Sequence, residues 1–297
     1  MTGVLEAFAD EIGSSDPVVP VGGRTQWDVG GSPDVAAREV VAPAGIVAYE
    51  PGDLTIRVRA GTRVADLQAA LAERGQMIPL DPRDPEHATV GGVLAVGHSG
   101  VRRLRYGPVR DTLLEARFVS AEGRLIKAGG PTVKNVSGFD VCRLLVGSLG
   151  TLGIIAEVVL RVQPRPIASR WIAGRADPFE ARRRLLRPSV ILWDGTTTWV
   201  LLEGHPGDID ADTSSLPDGF EEVGGPPPIQ SVGRRSVRPS EIRALTGTFV
   251  AEVGVGTVHL TEPPPKQTPD PSTTELHVQI KETFDPTGRL NPGRSVT

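Results

Sequence analysis

The sequence predicts an α+β protein, and three observations support this fold class. Residues 54–60 (LTIRVRA) alternate apolar and polar side chains, and residues 154–162 (IIAEVVLRV) are mostly β-branched or aliphatic. Both patterns are typical of strands. Residues 62–75 repeat apolar side chains at helical spacing. The 35 glycines and 27 prolines separate many short apolar segments, which indicates many strands joined by tight turns.

The first half of the chain contains one helix whose limits can be read from its residues. Thr62 is the expected N-cap, Val64, Leu67 and Leu71 lie on one face, and Gly75 stands where the helix should stop. The other elements expected before residue 166 are a short helix within residues 1–16 and strands at Val18–Pro20, Glu39–Ala42, Leu54–Ala60, Thr112–Ser120 and Ile154–Val162.

The character of the chain changes after Pro166, where the glycine-dense loops become fewer. A helix is expected with Asp177 as its cap and Pro178 as its first residue, followed by two strands within residues 191–204. Two polar, proline-rich segments predict loops, at 206–228 and 262–274. We therefore expect three parts: a first domain at 1–166, a smaller second domain at 167–262, and a segment at 263–297 that returns to the first domain.

Composition and charge argue against several classes of function. The formal net charge is −4 and the arginines are scattered among acids, so no basic face is available for nucleic acid. Residues 1–16 contain acids and no Lys or Arg, which is unlike a signal peptide. No run reaches the roughly 18–20 apolar residues of a membrane-spanning helix. We expect a cytoplasmic protein, or one held at the inner face of the membrane only through partners.

The single cysteine, Cys142, cannot form an internal disulfide, and by itself it cannot hold an iron–sulfur cluster or a structural zinc. Its surroundings, FDVCRLLVGS, are those of an apolar helix face. This context predicts inert packing rather than a reactive thiol.

Three glycine-dense segments each lie beside a predicted strand, at residues 21–31, 89–100 and 147–153. Glycine lets backbone amides approach a ligand closely, so such segments can wrap a diphosphate with N–H donors. None of them continues into the G-K-[ST] of a P-loop, and the acid expected downstream of a Rossmann fingerprint is missing. An extended, mostly uncharged ligand that touches several separated loops remains, and FAD has those dimensions.

The order and wording of these motifs resemble a known family. The matching stretches include PVGGRTQWDVGG, ATVGGVLAVGHSGVRRLRYGPVRD, NVSGFDVCRLLVGSLGTLGIIAEVVLRVQPRP and the tail DPTGRLNPGR. They resemble the FAD-binding domain of the vanillyl-alcohol oxidase type, also called the PCMH type, in the branch of the glycolate oxidase FAD-binding subunit. The resemblance covers most of residues 17–166 and the last dozen or so. It implies a two-part PCMH-type FAD-binding domain with a small α/β cap domain.

The resemblance also implies which residues bind FAD. Amides of the first glycine segment would hold the diphosphate, together with the Thr25 hydroxyl. The second segment would follow the diphosphate and ribityl chain to the isoalloxazine ring, the third would bond the adenine side, and Asn291 would close the site near the ring. The full implied set is Val21, Gly22, Gly23, Arg24, Thr25, Gln26, Pro79, Thr89, Val90, Gly91, Gly92, Ser99, Gly100, Asp111, Asn135, Gly138, Gly153, Ile154, Ile155 and Asn291.

Some of these residues have an equally simple structural interpretation. Asp111 either braces the second glycine segment or is an ordinary turn or N-cap residue. Asn135 and Gly138 either belong to the cofactor site or only shape their loop. The arginines between 102 and 105 are expected in a solvated or interface loop rather than on a phosphate.

Two histidines are candidates for catalysis. His98 lies in the second glycine segment, with an ordinary loop histidine as the alternative. His259 follows VGTV near the end of the second domain, where similar oxidases line the substrate cavity, with a satisfied strand histidine as the alternative. The first loop lacks the histidine or cysteine that related proteins use for covalent attachment, so we expect dissociable FAD. No cluster of histidines and carboxylates predicts a metal site.

Three functions are compatible with this set of motifs. The first is a flavin oxidoreductase that acts on a small 2-hydroxy acid, such as glycolate or D-lactate, and passes electrons to a partner. The second is an FAD-carrying accessory subunit beside a homologous larger flavoprotein subunit and an iron–sulfur subunit. A second domain of about a hundred residues is short for a substrate-covering cap, which favours the accessory role. The third is a nicotinamide-dependent flavin reductase of the same fold.

Overall fold

A computed structural model describes residues 3–130, 140–229, 232–262 and 270–295. The chain divides into two compact units: unit 1 is Met1–Gly100, Pro108–Pro164 and Thr268–Thr297, and unit 2 is Val101–Gly107 and Arg165–Gln267. The short segment 101–107, which the sequence placed in the first domain, belongs to unit 2. Its Leu104 packs against the core of that unit.

The helices are α1 Gly3–Ile12, α2 Val64–Ala72, α3 Val90–Val96, α4 Arg103–Tyr106, α5 Val141–Leu145, α6 Pro178–Arg184, α7 Pro206–Ser215 and α8 Pro271–Phe284. Short 3₁₀ helices cover Pro51–Asp53, Val109–Thr112 and Pro239–Ala244. The strands are β1 Val18–Pro20, β2 Arg38–Val40, β3 Ile46–Glu50, β4 Thr55–Arg59, β5 Gln76–Met77, β6 Leu113–Val119, β7 Leu125–Gly129, β8 Ile154–Arg161, β9 Gln163–Pro164, β10 Ala168–Gly174, β11 Val190–Trp193, β12 Thr198–Gly204, β13 Glu221–Val223, β14 Gly233–Ser236, β15 Phe249–Glu252 and β16 Thr257–Leu260.

Unit 1 is built on a five-stranded antiparallel sheet with the order β3-β4-β8-β6-β7. Alternate residues of β4, Ile56 and Val58, lie in one buried core with Leu160 of β8. Leu67 of α2 and Leu94 of α3 complete this core from the helical side. The alternation in LTIRVRA is therefore that of a strand with one buried face, as the sequence predicts.

A smaller core in unit 1 brings together the two ends of the chain. Strands β1 and β2 are parallel, and Val18 of β1 also forms a parallel bridge with Leu290 of the C-terminal segment. The apolar side of α1, with Phe8 and Ile12, packs in the same cluster as Val18 and Leu290. The C-terminal segment is thus an integral part of unit 1.

Buried Arg289 ties that segment to the N-terminal region. Its guanidinium donates hydrogen bonds to the backbone oxygens of Ile12 at 2.7 Å, Asp16 at 2.9 Å and Ala121 at 3.1 Å. Arg289 is 2% exposed, and burial lowers the pKa of its guanidinium. A buried cation of this kind stabilises the fold only while its acceptors remain in place.

An ion pair and its hydrogen bonds hold the same segment to α8. Lys281 donates to the backbone oxygens of Thr151 at 2.8 Å and Leu290 at 3.0 Å, and to the carboxylate of Asp285. Burial opposes ionisation of Asp285, but hydrogen bonds from Lys281 and from the amides of Leu290 and Arg289 outweigh it. The pKa of Asp285 therefore lies below its usual value.

Unit 2 is a seven-stranded sheet with the order β13-β10-β12-β11-β15-β16-β14, in which every described pair of strands is antiparallel. Both faces of the sheet carry apolar clusters. Ile172, Ile191 and Val200 pack on one side with residues of α6 and α7. Leu192 and Leu201 belong to a separate cluster.

The sequence predicted most of these elements correctly, including the start of α6. The Asp177 carboxylate caps this helix and accepts hydrogen bonds from the amides of Phe179 and Glu180, and Pro178 is the first helical residue. The expected loop at 206–228 is wrong, because α7 and β13 lie within it. Helix α8 begins inside the other expected loop, whose residues 263–269 lie outside the described part of the chain.

The expected cap of α2 is also wrong. This helix has Arg63 at its N-cap, without a side-chain capping bond. The Thr62 hydroxyl is used elsewhere, as the acceptor for the amide of Gly45 at 2.8 Å. A long-range contact between two loops has therefore taken the group that would otherwise cap the helix.

Cys142 is buried in α5, as the sequence predicts. Its thiol donates a weak hydrogen bond to the backbone oxygen of Ala128 at 3.5 Å. Burial raises the pKa of this thiol to about 11, so the reactive thiolate is scarce at neutral pH. Among the helices that the structure describes, none is both long and apolar enough to cross a membrane.

Candidate cofactor site

A cleft in unit 1 is lined by residues from all three glycine-dense segments. Its wall includes residues between 20 and 29, between 89 and 96, and between 149 and 155, with Asn291 and Arg294 from the C-terminal segment. The cleft encloses about 950 Å³, including the part open to solvent.

The first glycine segment lines the cleft with residues whose backbone amides are unpaired. The amides of residues 22–27 donate no hydrogen bond to any described protein group. Just before them, the amide of Val21 is bonded to the Val40 oxygen at 2.8 Å. Successive unpaired N–H groups form an anion-binding concavity, and they lose free energy if they are buried without an acceptor. The loop therefore fits the diphosphate of a dinucleotide.

Gly22 and Gly23 allow the first glycine segment to approach the second. A Cβ atom on Gly23 would overlap the carbonyl oxygen of His87, and one on Gly22 would overlap the Thr89 hydroxyl. That hydroxyl caps α3 by accepting a hydrogen bond from the amide of Gly92 at 3.2 Å. A side chain at either glycine would therefore push the two segments apart.

Three non-glycine residues of the cleft wall have left-handed backbone conformations. They are Arg24 with φ 55°, Leu149 with φ 55° and Asn291 with φ 48°. The described residues contain one other such position, Leu54. These conformations cost of order 1–3 kcal/mol each and concentrate at ligand sites. The cleft is thus where unit 1 stores most of its backbone strain of this type.

Asn291 connects the C-terminal segment to the cleft. Its amide donates to the Val18 oxygen at 2.7 Å, and its side-chain Nδ2 donates to the Leu149 oxygen at 2.6 Å. Asn291 is 5% exposed, and its Oδ1 has no protein partner. A buried acceptor without a donor is costly unless a ligand supplies one. FAD offers a partner for both kinds of group. Its diphosphate oxygens can accept hydrogen bonds from free amides, and its flavin ring carries an N–H that can donate to an acceptor such as Oδ1 of Asn291.

The charges at the cleft are positive. None of the described residues that line it is Asp or Glu, whereas Arg24 and Arg294 do line it. Arg24 forms an ion pair with Glu39 at 2.6 Å. The cleft wall also contains no described histidine or cysteine, which are the residues that attach a flavin covalently in related proteins.

The structure brings together a large part of the cofactor site that the resemblance implies. The implied residues that line the cleft are Val21, Gly22, Gly23, Arg24, Thr25, Gln26, Thr89, Gly91, Gly92, Ile154, Ile155 and Asn291. They come from positions nearly 270 residues apart in the chain. Their convergence is a property of the fold and not of any single motif.

The other implied residues that the structure describes do not line the cleft. Val90 is fully buried in the main core, and Pro79 is buried as well. A Cβ on Gly153 would overlap the ring of Phe118, and one on Gly100 would overlap Asp81. Asn135 and Gly138 lie outside the described residues.

Ser99 and Asp111 contact protein groups outside the cleft. The Ser99 hydroxyl accepts a hydrogen bond from the amide of Val109 at 3.0 Å. Asp111 is exposed, and its carboxylate pairs with Arg143 at 3.3 Å. The Ser99 contact joins the second glycine segment to the backbone at Val109, whereas the described partner Arg143 of Asp111 lies in α5 and not in that segment.

The two candidate catalytic histidines belong to different units. In unit 1, Nδ1 of His98 lies 2.8 Å from Oε1 of Gln26, a residue of the cleft wall. In unit 2, Nε2 of His259 lies 2.8 Å from Oε1 of Glu252, and both side chains are buried. Neither Nδ1 of His259 nor Oε2 of Glu252 has a protein partner.

The described residues include no group of three or more His, Cys, Asp or Glu side chains that could hold a metal ion.

Sequence reasoning missed several residues of the cleft wall. Ala60 and Gly61 follow β4 directly, and their small size could have indicated a close approach. Trp27 and Arg294 were both within quoted motifs, yet neither was assigned a role. Their contribution depends on the contact between the first segment and the tail, which no local pattern reveals.

Two family models match this chain. The model described as "FAD binding domain" matches residues 8–129, and the model described as "FAD linked oxidases, C-terminal domain" matches residues 238–295. The first match contains the first two glycine segments, and the second contains His259 and the tail residues Asn291 and Arg294.

Curated relatives agree with these models. The chain is 36% identical over 230 residues to the glycolate oxidase subunit GlcE of Escherichia coli (strain K12), covering 75% of this chain and 65% of the relative. It is 34% identical over 167 residues to the glycolate oxidase subunit GlcD of Bacillus subtilis (strain 168), covering 56% and 36%. It is 37% identical over 145 residues to a D-lactate dehydrogenase of Archaeoglobus fulgidus, covering 46% and 32%. The chain thus spans about two thirds of the first relative and about a third of the other two.

A solved structure is similar to most of the chain. An alkyldihydroxyacetonephosphate synthase superimposes with a TM-score of 0.69 and 16% sequence identity, covering 93% of this chain and 71% of that one. At this level of identity the similarity concerns the fold alone.

Proposed function

This chain belongs to the vanillyl-alcohol oxidase type, or PCMH-type, family of FAD-binding flavoproteins, and on that premise we propose that it is the FAD-binding part of an enzyme that oxidises a small 2-hydroxy acid. Its relatives are named as glycolate oxidase subunits and D-lactate dehydrogenases. Glycolate and D-lactate share a hydroxyl and a carboxylate on adjacent carbons. We propose a substrate of this class, with electrons passing from the flavin to a partner.

One observation carries the cofactor part of this proposal. Six consecutive amides without acceptors, at residues 22–27, line a cleft that contains no described carboxylate. Such a row of donors is complementary to a diphosphate and lowers the cost of burying its charge. The unpartnered Oδ1 of Asn291 supplies an acceptor in the same wall.

We propose that FAD is held without a covalent bond. The described cleft wall contains neither histidine nor cysteine, and Cys142 is buried with a raised thiol pKa. The cofactor should therefore dissociate when the protein is denatured, with no flavin left on the polypeptide.

Bound FAD would supply the acceptor for the hydride that leaves Cα when a 2-hydroxy acid is oxidised. The chain must then supply a base for the hydroxyl proton. We propose His259 for this role. Nε2 of His259 lies 2.8 Å from Oε1 of Glu252. In the tautomer with its proton on Nε2, the ring carries its lone pair on Nδ1, which has no protein partner.

His98 has a different proposed role. The contact of its Nδ1 with Oε1 of Gln26 joins the second glycine segment to the first at 2.8 Å. Because Gln26 lines the cleft, His98 would act through Gln26 as a positioning residue, with direct proton transfer as its alternative role. A His98→Gln variant that keeps FAD affinity but loses activity would favour the alternative.

An accessory role is the second candidate function. It is favoured by the small size of unit 2, whose described part is one sheet with three helices and a 3₁₀ helix. In this case FAD binds to this chain, while the substrate is oxidised on a homologous larger flavoprotein subunit. Electrons would continue to an iron–sulfur subunit.

Anaerobic mixing separates these functions. The purified chain is loaded with FAD, and its flavin absorbance is followed after addition of glycolate, D-lactate or NADPH. Bleaching by a 2-hydroxy acid supports the catalytic proposal and excludes a purely accessory role. Bleaching that requires copurified partners supports the accessory role, and rapid bleaching by NADPH alone would support a nicotinamide-dependent reductase instead.

A His259→Gln variant tests the proposed base, with Arg183→Gln as a control because Arg183 is exposed on α6. Loss of a general base typically lowers the rate by roughly 10²–10⁴-fold. We expect such a loss in the reduction rate of His259→Gln, with unchanged FAD content. An unchanged rate would exclude His259 as the base.

A further inference from the structure

Two guanidinium groups lie close to the indole ring of Trp27 in the first glycine segment. The Cζ atom of Arg24 is 4.4 Å from the centre of the indole ring, and the Cζ atom of Arg294 is 4.7 Å from it. Both distances are within the range of cation–π interactions. All three residues line the cofactor cleft. The wall of the cleft therefore carries two positive charges close to Trp27.

The two arginines differ in how their charges are balanced. Arg24 pairs with the carboxylate of Glu39 at 2.6 Å. Arg294 forms no ion pair with any described carboxylate, and its Nη1 donates only to the backbone oxygens of Trp27 and Val29. It is half-buried. Arg294 is thus a partly desolvated cation whose described partners are neutral.

The electrostatic setting of Arg294 favours the binding of an anion. Burial lowers the pKa of its guanidinium, and the Asp28 carboxylate opposes this only in part. A partly desolvated cation is costly unless an anion accompanies it. The described wall of the cleft offers no carboxylate for this purpose.

The backbone holds Arg294 at this position. The amide of Ser295 donates to the Gly30 oxygen at 2.9 Å, and the amide of Asp34 donates to the Pro292 oxygen at 2.8 Å. These bonds flank Arg294 on the tail and join the tail to residues 30 and 34, which follow Trp27 in the chain. The guanidinium is therefore held beside Trp27, whose amide is the last of the free amides at residues 22–27.

We propose that Arg294 is the cation that binds the diphosphate of FAD, acting together with the amides of the first glycine segment. The inference rests on the proposed FAD site and assigns the role to Arg294 of the tail, because the charge of Arg24 in the first glycine segment is already paired with Glu39. Amides alone offer partial charges, whereas a guanidinium offers a full charge and a planar set of donors.

The test compares two nucleotides that share the diphosphate. Apo-protein is titrated with FAD by flavin fluorescence and with ADP by competition, for the wild type, Arg294→Gln and the control Arg183→Gln. Hydrogen bonds to charged groups predict that Arg294→Gln weakens FAD and ADP binding by the same factor, roughly 10- to 100-fold. The control should not change either affinity.

Other results would overturn the assignment. Weaker FAD binding with unchanged ADP binding would place the cation at the flavin end, and unchanged binding of both would exclude Arg294 from the site. Wild-type protein that binds no FAD would refute the proposed function itself, which separates the two failures.

A second measurement does not depend on the folding of the variant. Wild-type affinity for FAD and for ADP should fall together as ionic strength rises. Salt screens the attraction between the half-buried Arg294 guanidinium and the diphosphate. Affinity that is independent of salt for both nucleotides would contradict a charged contact with the diphosphate.

Discussion

Replacing Gly23 with alanine tests the site at the point where two glycine segments meet. The new Cβ would overlap the carbonyl oxygen of His87, with the amide of Ala88 also at 3.2 Å. Since ordinary C···O contacts are about 3.3–3.6 Å, the two backbones would have to separate by roughly 1–2 Å. Such a shift moves the neighbouring amides out of hydrogen-bonding range of a diphosphate.

The expected loss of affinity follows from the number of amides displaced. If two bonds to the diphosphate are lost at about 1.5–3 kcal/mol each, FAD binding weakens by about 3–6 kcal/mol, or roughly 10²–10⁴-fold. Gly52→Ala is the matched control, because a Cβ at Gly52 meets no atom within 4 Å and Gly52 also belongs to unit 1. Both variants are titrated with FAD by fluorescence after their thermal unfolding has been compared.

The result that refutes this reasoning is specific. Folded Gly23→Ala that binds FAD within about threefold of Gly52→Ala would mean that the amides of residues 22–27 do not contact the cofactor. An Asp at Gly23 is a poorer test, because the same overlap with His87 would be added to any repulsion from the diphosphate.

Two further predictions concern the stability of unit 1. Arg289→Met should lower the free energy of unfolding by about 3–5 kcal/mol, measured by urea denaturation, because three backbone oxygens lose their buried donor; a loss below about 1 kcal/mol would show that water replaces the guanidinium. Asp285→Asn should destabilise the protein most at neutral pH. The folded pKa of Asp285 is lowered, so its contribution is complete above the unfolded value of about 3.9 and disappears as the pH falls through the folded pKa. Parallel pH–stability curves for wild type and variant would contradict this.

The sequence predicted the elements and residues whose determinants are local. The strand at β4 follows from its alternating residues, and the start of α6 follows from Asp177 and Pro178, because an N-cap acts within one turn. The glycine segments likewise indicated a ligand that needs free amides, and residues 22–27 do present unpaired amides to the cleft.

What the sequence could not reveal depends on contacts between distant segments. Thr62 has the residue type of an N-cap, but its hydroxyl accepts a hydrogen bond from the amide of Gly45. The role of Thr62 is therefore decided by this distant amide and not by the helix that follows it. Residues 206–215 are polar and begin with proline, yet they form α7 with Ile209 buried. Tertiary packing of one apolar residue can outweigh weak helix propensity, and no window of polar residues shows this.

The cofactor cleft depends on the contacts that join the two ends of the chain in unit 1. Asn291 reaches the cleft only because the preceding residue, Leu290, is bridged to Val18 and Arg289 is anchored to the N-terminal region. The strain at Asn291 is sustained by these same contacts, since a left-handed residue persists only where its surroundings determine its conformation. A change in the tail therefore acts on the fold and on the ligand site together. Loss of FAD from a tail variant can be assigned to a lost contact only when the unfolding free energy of the apo-protein is unchanged.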